Sequence, residues 1–74
     1  MWSKGKTNGY AWEVKHFDKG SDYGIDGGRI SKLEIAKIEG NWRFCVCSYD
    51  RGWDLDPQGE EVEKIYKMLL AKFN

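Results

Sequence analysis

Two dipeptides constrain the fold of this chain more than any other feature. Asn8-Gly9 lies between two runs with strand character, and Asn-Gly supplies the positive φ angles of a two-residue hairpin turn. Placing it at the tip sets Thr7 opposite Tyr10, Gly5 opposite Trp12 and Ser3 opposite Val14. The alternate positions pair Lys6 with Ala11, Lys4 with Glu13 and Trp2 with Lys15. Gly40-Asn41 separates RISKLEIAKIE from WRFCVCSY in the same way. Its tip predicts Ile35 opposite Val46 and Leu33 opposite Ser48, with Ala36–Cys45, Glu34–Cys47 and Lys32–Tyr49 on the reverse face. A helical period through Ile30, Leu33 and Ala36 is spoiled by Ile35 and Ile38, so strand is the better reading.

The last segment reads as a helix. Asp56 is the expected N-cap, Pro57 suits the first turn, and Glu60, Glu61 and Glu63 lie near the positive end of the dipole. Val62, Ile65, Tyr66, Leu69 and Phe73 recur at three- and four-residue steps as one apolar stripe. Glu60–Lys64 and Glu63–Lys67 are supportive pairs along it. Residues 18–28 and 50–56 are expected to be loops. The predicted fold is therefore α+β: a four-stranded antiparallel sheet of two hairpins, β-β-β-β-α, with one C-terminal helix packed on one face. It forms a single domain over residues 1–74. The covered face is expected to carry Trp12, Val14, Leu33, Ile35, Phe44 and Val46.

Size then limits function. A chain of 74 residues buries only about 60% of its unfolded surface, which leaves no interdomain cleft and little room for an elaborate active site. Aromatic residues make up 15% of the chain, too many for a disordered segment. One helix covers one side of a sheet, so the other side is the expected seat of function. By the registers above that side carries six cations (Lys4, Lys6, Lys15, Lys32, Arg43, Arg51) and two acids (Glu13, Glu34), a net of +4. Residues 50–63 hold six acids against Arg51 alone, so a net charge of zero conceals a divided distribution. Trp2, Phe17, Lys32, Arg43, Tyr49 and Arg51 are the candidate binding residues, with Trp53 in the 50–56 loop as a secondary candidate. The plain reading of the face is a solvated surface whose Lys and Arg guard against edge pairing. The functional readings are a protein partner or homodimer, or nucleic acid with bases stacked on the aromatics and phosphates on the cations.

Other motifs yield less. The glycine-rich SDYGIDGGR leads into a strand rather than a helix and lacks a Walker lysine, so it reads as an irregular connection rather than a phosphate loop. His16 has no evident nucleophile or orienting acid near it in sequence, and Ser48 falls on the predicted core side. Asp50, Asp54 and Asp56 lack calcium-loop spacing. Trp53 more simply closes the end of the core. Cys45 and Cys47, two apart in a strand, share a face at a separation that strains a disulfide, and His16 is the only His to join them on a metal. Free, partly buried thiols are expected, with no cofactor and no metal. No apolar run approaches the ~18 residues of a membrane span, and no signal region precedes the domain, so a cytoplasmic protein is expected.

The strings SDYGIDGGRISKLEI (21–35) and YDRGWDLDP (49–57) carry a resemblance, together with the EEVEKIYKMLLAKFN helix, the Trp2 start and the Asn8-Gly9-Tyr10 turn. They resemble a family of short uncharacterised proteins from Gram-positive bacteria, their phages and mobile elements. The resemblance spans nearly the whole chain. It implies an intracellular bacterial or phage setting and a stand-alone accessory protein. No settled activity comes with it, so it gives no residue a role. The expectation is a small non-enzymatic protein that binds a protein partner or itself through the uncovered sheet face, with nucleic-acid binding as the alternative.

Overall fold

In a computed structural model describing residues 1–74, the chain is α+β with an antiparallel sheet of five strands and one C-terminal helix. The elements are β1 (Trp2–Thr7), β2 (Tyr10–His16), β3 (Ile30–Glu39), β4 (Trp42–Asp50), β5 (Trp53–Leu55) and α1 (Glu60–Phe73). The strands lie side by side in chain order. The first hairpin has the expected register at all six pairs, from Trp2–Lys15 to Thr7–Tyr10. Its turn has positive φ at both Asn8 and Gly9, as a I′ turn requires. At the second tip only Gly40 has positive φ, the pattern of a II′ turn with Gly at its first central position.

The second hairpin departs from expectation at Val46. Ala36 pairs with Cys45 as predicted, but Ile35 then pairs with Cys47, Glu34 with Ser48, Leu33 with Tyr49 and Lys32 with Asp50. Val46 is the extra residue of a β-bulge. Since side chains alternate with a period of two, one inserted residue exchanges the faces of everything beyond it. Cys47 and Tyr49 therefore enter the core, while Ser48 and Asp50 turn outward. A similar shift between Lys15 and His16 pairs His16 with Ile30, and Ile30 is fully buried rather than on the open face.

The expected loop at 50–56 is replaced by a tight turn at Arg51-Gly52 and the short strand β5, which makes the fifth strand of the sheet. Because Trp53–Leu55 is used for pairing, the chain must still turn back toward the sheet before a helix can begin. Gly59, at φ +89°, makes that turn and α1 starts at Glu60, so Asp56 and Pro57 are not its cap and first turn. The acidic first turn and the apolar stripe are as predicted: Val62, Ile65 and Leu69 are buried, with Tyr66 and Phe73 packed beside them. Glu60 and Lys64 pair at 3.6 Å.

The core lies between α1 and one face of the sheet. Trp12, Val14, Leu33 and Ile35 occupy it as predicted, joined by Tyr10, Ile30, Cys47 and Tyr49. Phe44 was expected there and is instead 55% exposed, with Val46 only partly buried. The helix runs over β2 and β3, and its first turn stands at Tyr10, whose hydroxyl donates to Glu61 at 3.1 Å. It does not reach Phe44 and Trp42, which lie at the hairpin-tip end of β4 beyond its pairing with β5. At the other end, Ile25 in a single 3₁₀ turn of the glycine-rich connection is also buried in the core. The Asn74 side-chain amide donates to the Ile25 carbonyl at 3.1 Å and accepts from the Ile30 N–H at 3.0 Å. A Cβ on Gly28 would overlap that amide, and one on Gly24 would overlap the Gly28 carbonyl. The glycines permit close packing of backbone against the helix end.

Candidate functional site

The face not covered by α1 is built of rows that cross the sheet. Reading the registers together, one row is Lys6–Ala11–Ala36–Cys45, the next Lys4–Glu13–Glu34–Ser48, and the third Trp2–Lys15–Lys32–Asp50. With Arg43 these rows hold five cations against three carboxylates, a net of +2 rather than the expected +4. The bulge at Val46 accounts for one unit of the difference by bringing Asp50 onto this face, and the other is Arg51, which lies in the turn beyond these rows. Lys32 lies 3.8 Å from Asp50, and Lys4 lies 4.0 Å from Glu13. Glu13 stands directly opposite Glu34, and Lys15 directly opposite Lys32. Like charges in cross-strand register destabilise a sheet, and each pair has one member beside an opposite charge, Glu13 by Lys4 and Lys32 by Asp50.

Among the concavities on or beside this face, two differ sharply in the charge of their linings. The first, of about 400 Å³, has Ala11 and Ala36 as a low floor, with Lys4, Lys6 and Arg43 and the acids Glu13 and Glu34 around it. The second, of about 320 Å³, lies where the sheet meets the 18–28 connection and the β4–β5 turn. Its walls are Lys15, Lys32, Arg51, Phe17, Tyr23, Ser21 and Ser31. The Lys15 ammonium is 5.9 Å from the Trp2 ring and 5.6 Å from the Phe17 ring, within cation–π range of both. The Arg51 Nε is 3.6 Å from the Asp50 carboxylate that also meets Lys32, so one acid gathers two cations.

The profile of the family described as "Domain of unknown function (DUF7678)" matches residues 1–74. The chain belongs to that family. No curated protein and no solved structure gives a match.

The candidate residues of this DUF7678 chain do not form one patch. Phe17, Lys32 and Arg51 meet at the second concavity, Arg43 borders the first, and Trp2 lies between them beside Glu13. Tyr49 was expected on the open face and is buried on the other, opposite Leu33, as the bulge dictates. It donates a 2.7 Å hydrogen bond to the Tyr23 carbonyl and thereby fixes the connection that walls the second concavity. Trp53, expected in a loop, lies in β5, remains 40% exposed and makes edge contacts with Tyr49 at 5.0 Å and Tyr66 at 5.5 Å. Lys15 and Tyr23 belong to the site and were missed. The opposition of Lys15 and Lys32 follows from the β2–β3 register, and no tight turn marks that register in the sequence.

Two further contacts in the DUF7678 domain differ from expectation. Ser3 Oγ and His16 Nε2 are 2.9 Å apart, a hydroxyl–imidazole pair that ties β1 to β2. The first register places Ser3 opposite Val14, and His16 continues the same face, so the pair could have been read from the sequence. His16 also stacks on Phe73 at 4.8 Å. Cys45 and Cys47 are free but lie on opposite faces, again because Val46 is inserted between them. Burial, then the nearby Cys45 and Asp56, push the Cys47 thiol up to about 12. Burial and the hydrogen bond to Glu61 raise Tyr10 above its ordinary value. No helix is long and apolar enough to cross a membrane.

Proposed function

We propose that this DUF7678 domain is a non-enzymatic binding module that engages a protein, a second copy or another chain, through the hollow of its uncovered sheet face. The observation that carries this reading is the hollow itself. Its floor is two alanines, so the backbone is approachable, and its rim presents both signs of charge from Lys4, Lys6, Arg43, Glu13 and Glu34. A polypeptide segment with mixed charge suits such a rim, and a uniform polyanion does not. In this reading the domain works in the cytoplasm of a bacterial or phage setting, where free thiols such as Cys45 and Cys47 persist, and uses no metal or cofactor.

Sedimentation over a wide concentration range tests self-association, which Ala36→Arg should abolish by filling the floor; Ala36 is buried in a central strand, so a melting curve checks that the variant stays folded. A strict monomer removes the homodimer. The other-chain form is then tested with a photo-reactive side chain at position 43, compared with one at position 67 on the helix. Adducts specific to position 43 and lost with Ala36→Arg support the reading. Equal adducts at both positions would sink it. A second reading, nucleic-acid binding, draws on one observation: Lys15, Lys32 and Arg51 gather beside Phe17 and Tyr23.

A further inference from the structure

The second concavity shares no lining residue with the hollow, and its chemistry is of a different kind. Three cationic side chains line it and no carboxylate does, although Asp50 touches two of the three from outside the walls. We propose that it is a site for a single nucleotide unit, with the phosphate held by Lys15, Lys32 and Arg51 and the planar base against Phe17 and Tyr23.

Four features support this assignment. Lys15 and Lys32 are directly paired across β2 and β3, a like-charge opposition that Asp50, beside Lys32 at 3.8 Å, offsets only in part. A phosphate between them supplies the rest of the counter-charge. Next, Arg51 adopts φ +58°, a left-handed conformation that few non-glycine residues take and that a glycine would adopt without strain. Its N–H is fixed to the Ser31 carbonyl at 3.0 Å, so the turn delivers a guanidinium to this position at some conformational cost.

The aromatic walls are then open to a base. Phe17 is 47% and Tyr23 65% exposed, in a chain that has an apolar core available for such rings. Stacking on exposed aromatics with cations on the phosphates is how bases are commonly held without reading their edges. Finally, about 320 Å³ exceeds what a bare phosphate needs and falls at the small end of ligand pockets. The Ser21 and Ser31 hydroxyls stand in the same wall. Backbone hydrogen bonds from the Phe17 N–H to Arg29 at 3.0 Å and from the Ser21 N–H to Gly28 at 3.1 Å, with the Tyr49 hydroxyl donating to the Tyr23 carbonyl at 2.7 Å, hold the walls in place before any ligand binds. Preformed walls of this kind lower the entropic cost of binding.

The inference is independent of the protein-binding reading, and its test uses other residues. A free nucleotide and one within a strand present the same chemistry, and the probes separate the two sources: 5′-AMP, adenosine, inorganic phosphate and an eight-residue oligothymidylate, titrated at low salt and followed by amide chemical shifts. Saturable binding of AMP or the oligonucleotide is expected, with shifts at Lys15, Phe17, Tyr23, Lys32 and Arg51. Adenosine and phosphate alone should bind more weakly than AMP. Arg51→Gly keeps the turn and removes the guanidinium, and Lys32→Ala removes an ammonium. Each should weaken binding by about tenfold, the loss of one charge-assisted contact. An oligonucleotide that binds far more tightly than AMP assigns the site to a strand, and comparable affinities assign it to a free nucleotide. The proposal is overturned if neither probe saturates, if the shifts centre on Ala36 and Arg43, or if Arg51→Gly and Lys32→Ala bind as the wild type does.

Discussion

β4 carries an aromatic residue on each side of Val46, and the two have opposite surroundings. Phe44, before the bulge, is 55% exposed, whereas Tyr49, after it, is 8% exposed and hydrogen-bonded to Tyr23. The same holds for the cysteines: Cys45 is exposed and Cys47 fully buried. Residue type does not separate these pairs. Position relative to one inserted residue and to the reach of a 14-residue helix does. The half of β4 near the hairpin tip extends past the core, and the half after Val46 is part of it.

The largest expected effect contrasts the two aromatics. Tyr49→Ala should destabilise by about 3–5 kcal/mol, as truncation of a large buried ring does, and Phe44→Ala by no more than about 0.5 kcal/mol. Urea titrations of the two variants measure this directly, and equal losses would mean that the halves of β4 are not distinct. Deletion of Val46 comes next. It removes the inserted residue while leaving Cys45 opposite Ala36 and Cys47 opposite Ile35, so the domain should stay cooperatively folded at a cost of roughly 1–2 kcal/mol. Loss of the native amide spectrum on deletion would show that the bulge is required for the fold and not merely accommodated by it.

The last contrast concerns the thiols. In the folded protein one thiol, Cys45, should react with a disulfide reagent at pH 8, and Cys47 only after unfolding. The alkaline limb of stability carries the same contrast. Cys47 ordinarily titrates at 9.0 and is pushed up to about 12 by burial, so the unfolded chain releases its proton first. Its contribution is complete below pH 9 and is lost as pH rises from 9 through 12. Cys47→Ala should flatten this limb, while Cys45→Ala, which removes only the lesser influence of a neighbouring thiol on Cys47, should change it far less.

These contrasts also mark what could be read from the sequence. The first hairpin was legible in full, because an Asn-Gly turn fixes register and no irregularity follows within six pairs. The second was legible only as far as Cys45. Val46 and Cys47 are both apolar and both suited to a strand, so the period-two pattern reads equally well with or without an inserted residue. β5 was hidden for another reason: Asp50, Gly52, Asp54 and Asp56 give the segment the composition of a loop, and only the alternation Trp53-Asp54-Leu55 hints at pairing. The helix stripe was legible, but its start was misplaced because a strand that had not been seen occupied the preceding residues. Phe17, Lys32 and Arg51 share a face by the sequence pattern, but they converge for a different reason, the meeting of the 18–28 connection and the β4–β5 turn at one end of the sheet.

The order of the strands has a consequence for how the molecule assembles. Each strand pairs only with its neighbours in the chain, so the sheet is completed through successive closures without any strand waiting for a distant one. Closure entropy grows with the length of chain enclosed, and topologies of this kind keep contact order low for a β-rich protein. The far ends of the chain are joined instead by a few side chains: Tyr10 to Glu61, and Asn74 to Ile25 and Ile30. The longest-range ties of the native state thus lie in the seating of the helix, and the pairing of the strands is an almost wholly local affair.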